Sequence, residues 1–153
     1  MNKKKQSSYK TIAQNKKGYF DYEISDKFEA GIQLLGGEIK SIRTGKVSIK
    51  ESYARIIKSE AWLLGCHITP FKGVTQDIPD PVRNRKLLLH KREIKKLLGK
   101  IQEKGFTLIP LKLYISNRNL AKIELGLAKA RKKFDKRNVL KEKAIKRDLE
   151  RRQ

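Results

Sequence analysis

The sequence is poor in cysteine, proline and histidine, and it has no long apolar run. Cys66 is its one cysteine, and it has four prolines and two histidines. A single cysteine excludes an internal disulfide and a cysteine-rich zinc site. No apolar stretch approaches the roughly 20 residues of a membrane-spanning helix, and none follows the basic residues after Met1 as in a signal peptide. We therefore expect a cytoplasmic protein without a membrane segment.

Catalytic and metal-binding motifs are also missing. His67 directly follows Cys66, so in a strand the two side chains would point to opposite faces. His90 has no metal-ligating neighbours at the usual spacing. Neither a phosphate-binding loop of the G-x-x-x-x-G-K-[ST] type nor a G-x-S-x-G elbow occurs. We predict no catalytic residue, no metal and no cofactor, and hence a protein that is not an enzyme.

Positive charge is what the sequence has in excess. Its 38 Lys and Arg residues stand against 16 Asp and Glu, giving a formal net charge of +22. Such an excess repels itself unless a partner neutralises it, and nucleic acid is the first candidate. An anionic membrane is the weaker alternative, because the basic C-terminal tail lacks a bulky apolar face. One basic cluster in the body consists of Arg83, Arg85, Lys86, Lys91 and Arg92.

Composition divides the chain into three parts. Residues 1–17 contain six lysines and no acidic residue, and are predicted to be a flexible basic arm. Residues 18–128 hold nearly all the apolar content and are predicted to form one RNA-binding domain. Residues 129–153 form a basic tail, with eleven Lys or Arg and four acidic residues from position 131 onward. Like charges repel within the tail, so we expect it to be disordered until a polyanion binds.

Alternating apolar residues predict strands in the body. Two such runs cover residues 28–34 and 52–57, and alternate residues from Trp62 to Ile68 are predicted to share one face. A further face is predicted to run through alternate residues from Thr107 to Leu113. A turn at 117–119 then leads into a strand whose apolar face is Ala121, Ile123, Leu125 and Leu127.

Two helices interrupt the strands. Residues 91–104 place apolar side chains at positions i, i+3, i+4 and i+7, and Gly105 is a suitable C-terminal stop. A shorter helix is predicted over residues 38–43. Several antiparallel strands with short helices favour a mainly β fold, namely a small OB-like antiparallel β-barrel.

Two single residues stand out as candidates for RNA contact. Phe134 lies inside the basic tail beside Asp135, and RNA binding uses charge for phosphates and a ring for a base. Phe134 as a hydrophobic anchor on the body, or a tail that is merely solvated, are the alternatives. Glu29 should point away from the core, where it either accepts hydrogen bonds from base amino groups or is simply a solvated strand residue.

Eight segments, in order along the chain, resemble the SsrA-binding protein family (small protein B, SmpB). They are residues 12–18 followed by Tyr22, 28–32, 37–46, 52–55, 67–70, 85–94, 110–114 and 134–137. The resemblance implies a barrel of about six antiparallel strands with two to three short helices. It also implies a non-enzymatic partner of tmRNA, which acts in trans-translation to rescue ribosomes stalled on messages without a stop codon.

The resemblance also implies roles for individual residues. The barrel would hold the tRNA-like domain of tmRNA, and the tail, helical from about Val139 on the ribosome, would occupy the decoding centre and the empty mRNA channel. Partners would be tmRNA, small-subunit rRNA and elongation factor Tu with aminoacylated tmRNA, and the protein would be a monomer. The family usually has a glycine before the tail, where this chain has Ala130. The implied tmRNA-binding residues are Asn15, Tyr22, Glu29, Tyr53, Leu89 and Lys122, and the implied tail residues are Phe134, Asp135, Lys136 and Arg137.

Two other functions are consistent with the composition. A ribosomal protein embedded in rRNA would also need a basic body and basic extensions. A nuclease would need carboxylates or histidines gathered in space, for which Glu29 and Asp135 are the residues to watch.

Overall fold

The computed structural model describes the backbone of residues 10–73 and 75–151, and their side chains except those of residues 104, 133–136, 138 and 139. The strands are β1 (Lys10–Gln14), β2 (Tyr22–Ile32), β3 (Val47–Ser48), β4 (Tyr53–Ile57), β5 (Glu60–Leu64), β6 (His67–Ile68), β7 (Arg85–Leu88), β8 (Thr107–Ile115) and β9 (Ala121–Ala130). The helices are α1 (Lys16–Asp21), α2 (Gly36–Arg43), α3 (Lys91–Lys104) and α4 (Lys133–Arg151).

Six antiparallel strands pair in a closed ring. Their order is β8-β4-β5-β7-β2-β9, and β9 pairs again with β8. The junction of β4 with β8 is the shortest, with Ala54 opposite Leu108. β1 joins the far end of β8, while β3 and β6 form a separate pair. The predicted mainly β fold of about six antiparallel strands with short helices is confirmed. The main core is formed by residues such as Ala30, Leu63, Leu87, Leu108, Ile123 and Leu125.

A β-bulge between Pro110 and Lys112 reverses the alternation of side chains in β8. Leu108 and Leu113 both lie in the main core, although five positions separate them. The predicted common face of alternate residues from Thr107 to Leu113 is therefore wrong, because the extra residue at a bulge shifts the pattern by one. The displaced side chains form a second, smaller cluster, which consists of Ile109, Leu111 and Ala128 with Tyr22 and Ile24 packed against it.

Gly65 reverses the alternation after β5 in a similar way. Its φ of +74 lies in the left-handed region that favours glycine. The predicted common face from Trp62 to Ile68 is wrong. Leu63 is buried before the turn and Cys66 after it, whereas Trp62 is only partly buried.

The helix predictions differ in outcome. α3 begins at Lys91 and ends at Lys104 as predicted, with Gly105 in the left-handed conformation. α2 begins two residues before the predicted Glu38. The tail helix, predicted from about Val139, begins six residues earlier and covers Lys133–Arg151 in this structure. Its Lys, Arg, Glu and Leu residues are good helix formers; disorder of the tail in the free protein stays a prediction.

The predicted flexible arm also needs correction. Residues 10–14 form β1, which pairs with β8, and residues 16 and 17 begin α1. Residues 1–9 lie outside the described residues. Neither β1 nor α1 was predicted, because the prediction followed the many lysines of this segment. Ile12 and Ala13 are its short apolar stretch, and they pack against the main core.

A buried ion-pair network connects α2 to β7. Glu38 and Arg85 are only 3% and 1% exposed, and Nη2 of Arg85 lies 2.6 Å from Oε2 of Glu38. Arg83 pairs with the other carboxylate oxygen. Arg85 also donates hydrogen bonds to the carbonyl oxygens of Cys66, Arg83 and Pro81. Arg85 therefore does not belong to the exposed basic cluster in which the sequence placed it.

The carboxylate of Glu38 also orders the start of α2. It accepts a hydrogen bond of 2.9 Å from the backbone N–H of Leu35. Burial acts to raise the pKa of Glu38, but the hydrogen bonds from Arg83, Leu35 and Arg85 outweigh it and hold the pKa below its usual value. A lowered folded-state pKa means that this stabilisation is present at neutral pH and is lost as the pH falls through the folded-state pKa.

Replacing Arg85 should therefore destabilise the protein far more than replacing its neighbour. We expect Arg85→Met to lower the free energy of unfolding by about 3 kcal/mol, because it leaves a buried carboxylate with one partner fewer. Lys86→Met is the control: Lys86 pairs with Glu60 at 3.5 Å on the surface, and such pairs contribute about 0–1 kcal/mol. Urea unfolding at pH 7 measures both. Equal losses for the two variants would contradict the assignment.

Candidate nucleic-acid interface

A groove of about 480 Å³ runs along the outer side of β2, β9 and β8. Ala30 and Ile123 point into the core of the ring. Because successive side chains of a strand alternate, the neighbouring Glu29 and Lys122 point outward and line the groove. Other polar residues that line the groove are Lys112, Tyr114, Ser116, Asn117, Arg118 and Glu124. The sequence-predicted residues Glu29 and Lys122 are thus brought together.

Glu29 and Lys122 are available to a ligand. Within the described part of the chain, neither side chain has a hydrogen-bonding or ion-pair partner, although opposite charges in one groove could have paired. Glu124 lies opposite Glu29 on β9 and pairs instead with Lys27, at 3.7 Å. A free carboxylate and a free ammonium group side by side can bind base donors and phosphate oxygens respectively.

Beside this groove, Leu88 is more exposed than the predicted Leu89. Leu88 is 53% exposed, whereas Leu89 is partly buried and packs against the main core. Leu88 lies opposite Gly31, which in turn lies opposite Lys122. The sequence offered no means of choosing between the two leucines, because a shift of one position reverses the face of a strand.

The predicted residues Asn15, Tyr22 and Tyr53 meet at a different place. They line a depression of about 350 Å³ that shares no lining residue with the groove. Tyr53 is 45% exposed and Tyr22 is partly buried. Lys17 and Lys50 line the same depression. Tyrosine rings beside lysines suit the stacking of a base and the binding of its phosphate.

Asn15 itself is a structural residue of this depression. It is 4% exposed; its Nδ2 donates to the carbonyl oxygen of Pro110 and its Oδ1 accepts from the N–H of Gly18, both at 3.0 Å. The side chain therefore caps α1 and fastens it to β8. Its contact with RNA stays a prediction.

The predicted tail residues lie in the first two turns of α4. Arg137 is exposed, and the side chains of Phe134, Asp135 and Lys136 are outside the described ones. Ala130, which stands where the family has glycine, ends β9 opposite Tyr22 and is not a positive-φ residue. The N–H of Arg131 donates to the carbonyl oxygen of Asp21 at 2.9 Å, so the chain turns toward α4 without needing a left-handed residue.

Cys66 is the one thiol, and its surroundings do not activate it. It is buried, and burial raises its pKa to about 11, so the thiol stays protonated at neutral pH. Among the described residues, no group of three or more His, Cys, Asp and Glu side chains could hold a metal ion. In that same part of the chain, no helix combines the length and apolarity needed to cross a membrane.

Comparison with known proteins gives consistent similarities. The family model for "SmpB protein" matches residues 12–153. The chain is 50% identical over 143 residues to the SsrA-binding protein of Sulfurihydrogenibium sp. (strain YO3AOP1), covering 94% of this chain and 93% of that protein. It is 53% identical over 142 residues to the SsrA-binding protein of Geobacillus thermodenitrificans (strain NG80-2), covering 93% and 91%.

A solved structure gives the same result for the fold. One chain of the structure described as "tmRNA-SmpB: a journey to the center of the bacterial ribosome" is 46% identical, with a TM-score of 0.66. The match covers 79% of this chain and 85% of that one.

The two kinds of site residue should behave differently when they are replaced. We expect Asn15→Ala to lower the free energy of unfolding by about 1–3 kcal/mol, because it removes a cap and leaves buried polar groups unsatisfied. Glu29→Ala and Lys122→Ala should change it by less than about 0.5 kcal/mol, because neither side chain has a partner among the side chains that the structure describes. Thermal or urea unfolding of the three variants measures this. Unchanged stability of the Asn15→Ala variant would contradict the structural role assigned to Asn15.

Proposed function

Because the chain belongs to the SmpB family of SsrA-binding proteins, we propose that it binds tmRNA and delivers it to stalled ribosomes for trans-translation. The observation that carries the proposal is the outer groove, where Glu29 and Lys122 have no hydrogen-bonding or ion-pair partner among the described residues, on a protein with a net charge of +22. The positive charge of this surface attracts the phosphates of RNA, and the carboxylate can accept hydrogen bonds from the edge of a base.

The ring holds the tRNA-like domain of tmRNA in this proposal. Lys122 contacts a phosphate and Glu29 a base, while Leu88 and the half-buried Leu89 supply apolar contact beside them. Tyr22 and Tyr53 form a second contact surface, positioned by Asn15. The separation of the two depressions supports a protein that touches folded RNA at more than one place.

The tail reaches the ribosome. α4 follows β9 directly, and from residue 140 onward its described side chains are exposed, including Leu140, Ile145 and Leu149. In the decoding centre Phe134 stacks on a base, Asp135 orients Arg137, and Lys136 binds phosphate, while the rest of α4 occupies the empty mRNA channel. Stacking of this kind contributes about 1–3 kcal/mol per base.

The remaining parts of the proposal concern the setting. The protein acts in the cytoplasm as a monomer, without a cofactor and without catalysing a reaction. Elongation factor Tu carries the aminoacylated tmRNA to which the protein is bound. Small-subunit rRNA at the decoding centre is the partner of the tail.

Replacing Lys122 should weaken tmRNA binding and also reduce the dependence of the affinity on salt concentration. We expect Lys122→Ala to lower affinity about tenfold at 0.1 M salt, and to reduce the slope of log K against log salt by about 1, because one phosphate contact is lost. Lys100→Ala on α3, which lines neither depression, is the control and should change affinity less than about twofold. Filter binding at several salt concentrations measures both. Equal effects of the two variants would show that only overall charge matters.

Removal of α4 should separate RNA binding from ribosome rescue. Truncation after Lys132 keeps β9 and the hydrogen bond from Arg131 to Asp21. We expect affinity for tmRNA to stay within about threefold of the full chain, since the groove is untouched, and peptide tagging on stalled ribosomes to be lost. Binding assays and an in vitro tagging assay measure the two quantities. A truncated chain that still tags stalled peptides would disprove the assigned role of the tail.

A further inference from the structure

An apolar pocket of about 280 Å³ adjoins the groove. Three leucines that are half exposed line it: Leu35 at 50%, Leu88 at 53% and Leu120 at 52%. Leu120 and Lys122 line both the pocket and the groove, so the two are continuous. Exposed apolar side chains gathered in one concave place, with polar groups at the rim, are typical of a binding site.

Gly31 forms the floor of the pocket. It lies on β2 between Leu88 of β7 and Lys122 of β9. A Cβ atom at this position would lie 3.3 Å from Cβ of Leu88, closer than most such contacts, so glycine leaves more room above the strand. Glu29 projects from the same face of β2 two residues earlier, about 7 Å along the strand. A flat group lying over Gly31 would therefore bring its edge to the carboxylate of Glu29.

The charges around the pocket favour a nucleobase over an apolar protein side chain. Lys122 stands where the pocket opens into the groove, and Lys112 and Arg118 line the groove beyond it. A nucleotide needs such cations for its phosphate and an apolar surface for its base. A leucine or phenylalanine from a protein would need neither the cations nor the carboxylate.

The carboxylate of Glu29 narrows the choice of base. A carboxylate offers two acceptor oxygens and no donor. The Watson–Crick edge of guanine presents two adjacent donors, the N1–H and the N2 amino group. Adenine and cytosine each present one donor next to an acceptor, and uracil presents one donor between two acceptors. Guanine alone matches both oxygens.

We propose that the bound RNA places an unpaired guanine over Gly31, between Leu88 and Leu120, with its Watson–Crick edge on the carboxylate of Glu29. This inference rests on the proposed binding of tmRNA and deepens it. Lys122 then holds the phosphate of the same or the adjoining nucleotide. Glu29 is the residue that determines base specificity, and the leucines supply the apolar contact.

The test exchanges the base and the residue together. Each unpaired guanosine of the tRNA-like domain of tmRNA is replaced singly by adenosine, and affinity is measured with the full-length protein and with Glu29→Gln. Glutamine offers one acceptor and one donor, which match adenine. We expect one position where adenosine costs the original protein about tenfold in affinity, as for loss of one bidentate base contact. With Glu29→Gln the same adenosine should cost less than about twofold.

The other outcomes are equally decisive. If Glu29→Gln weakens every RNA by the same factor, Glu29 reads no particular base and the inference fails, while the proposed function stands. If the original protein does not bind the tRNA-like domain, both fail. Inosine, which lacks the N2 amino group, should give an intermediate loss at the identified position, and no loss there would also overturn the inference.

Alanine variants test the pocket separately. We expect Leu88→Ala and Leu120→Ala each to weaken binding about fivefold, and to remove the preference for guanosine at the identified position. Ile57→Ala is the matched control, because Ile57 is 42% exposed on β4 and lines neither the pocket nor the groove. Circular dichroism verifies that the variants fold. Unchanged RNA binding by both leucine variants would overturn the placement of a base in the pocket.

Discussion

The buried pair of Glu38 and Arg85 holds together the two elements that form the apolar pocket. Arg85 begins β7, and Leu88 ends it. Glu38 lies in α2, and the same carboxylate accepts a hydrogen bond from Leu35 at the start of that helix. One carboxylate therefore fixes the positions of two of the three leucines. Since both partners are almost completely buried, the position of the pocket walls depends on an interaction that solvent and salt hardly reach.

The outer surfaces of the ring follow from how its interior is filled. Regular alternation over residues 28–31 of β2 and 121–125 of β9 sends Ala30 and Ile123 inward, which leaves Glu29 and Lys122 on the outside. The bulge in β8 then places Ile109 and Leu111 in the second cluster instead of the main core. That cluster lies beside Tyr22, which also lines the second depression. Through this bulge in β8, the second cluster supports the depression lined by Tyr22 and Tyr53, while the polar groove lies on another part of the ring.

The sequence was informative wherever periodicity was unbroken. α3 was predicted to the residue because its apolar spacing is regular and Gly105 ends it. The outward direction of Glu29 and Lys122 followed from the same kind of pattern. The faces of β5 and β8 were wrong because Gly65 and the bulge at Pro110 each shift the alternation, which composition does not reveal. The role of Asn15 depends on a hydrogen bond to a residue 95 positions away, and the burial of Arg85 depends on Glu38, 47 positions away. Local patterns contain no information about such contacts.

The connection between β9 and α4 consists of only Arg131 and Lys132. Arg131 is fastened to Asp21 and, through its side chain, to the carbonyl oxygen of Tyr22 at 3.3 Å. So short and anchored a joint gives the tail little freedom of direction. The 19 residues of α4 span about 28 Å, and the helix passes beside α1, where Nζ of Lys143 lies 5.9 Å from the centroid of the Phe20 ring. The position at which the ring binds therefore determines the direction of the helix and the distance from the ring at which its far end can make contacts.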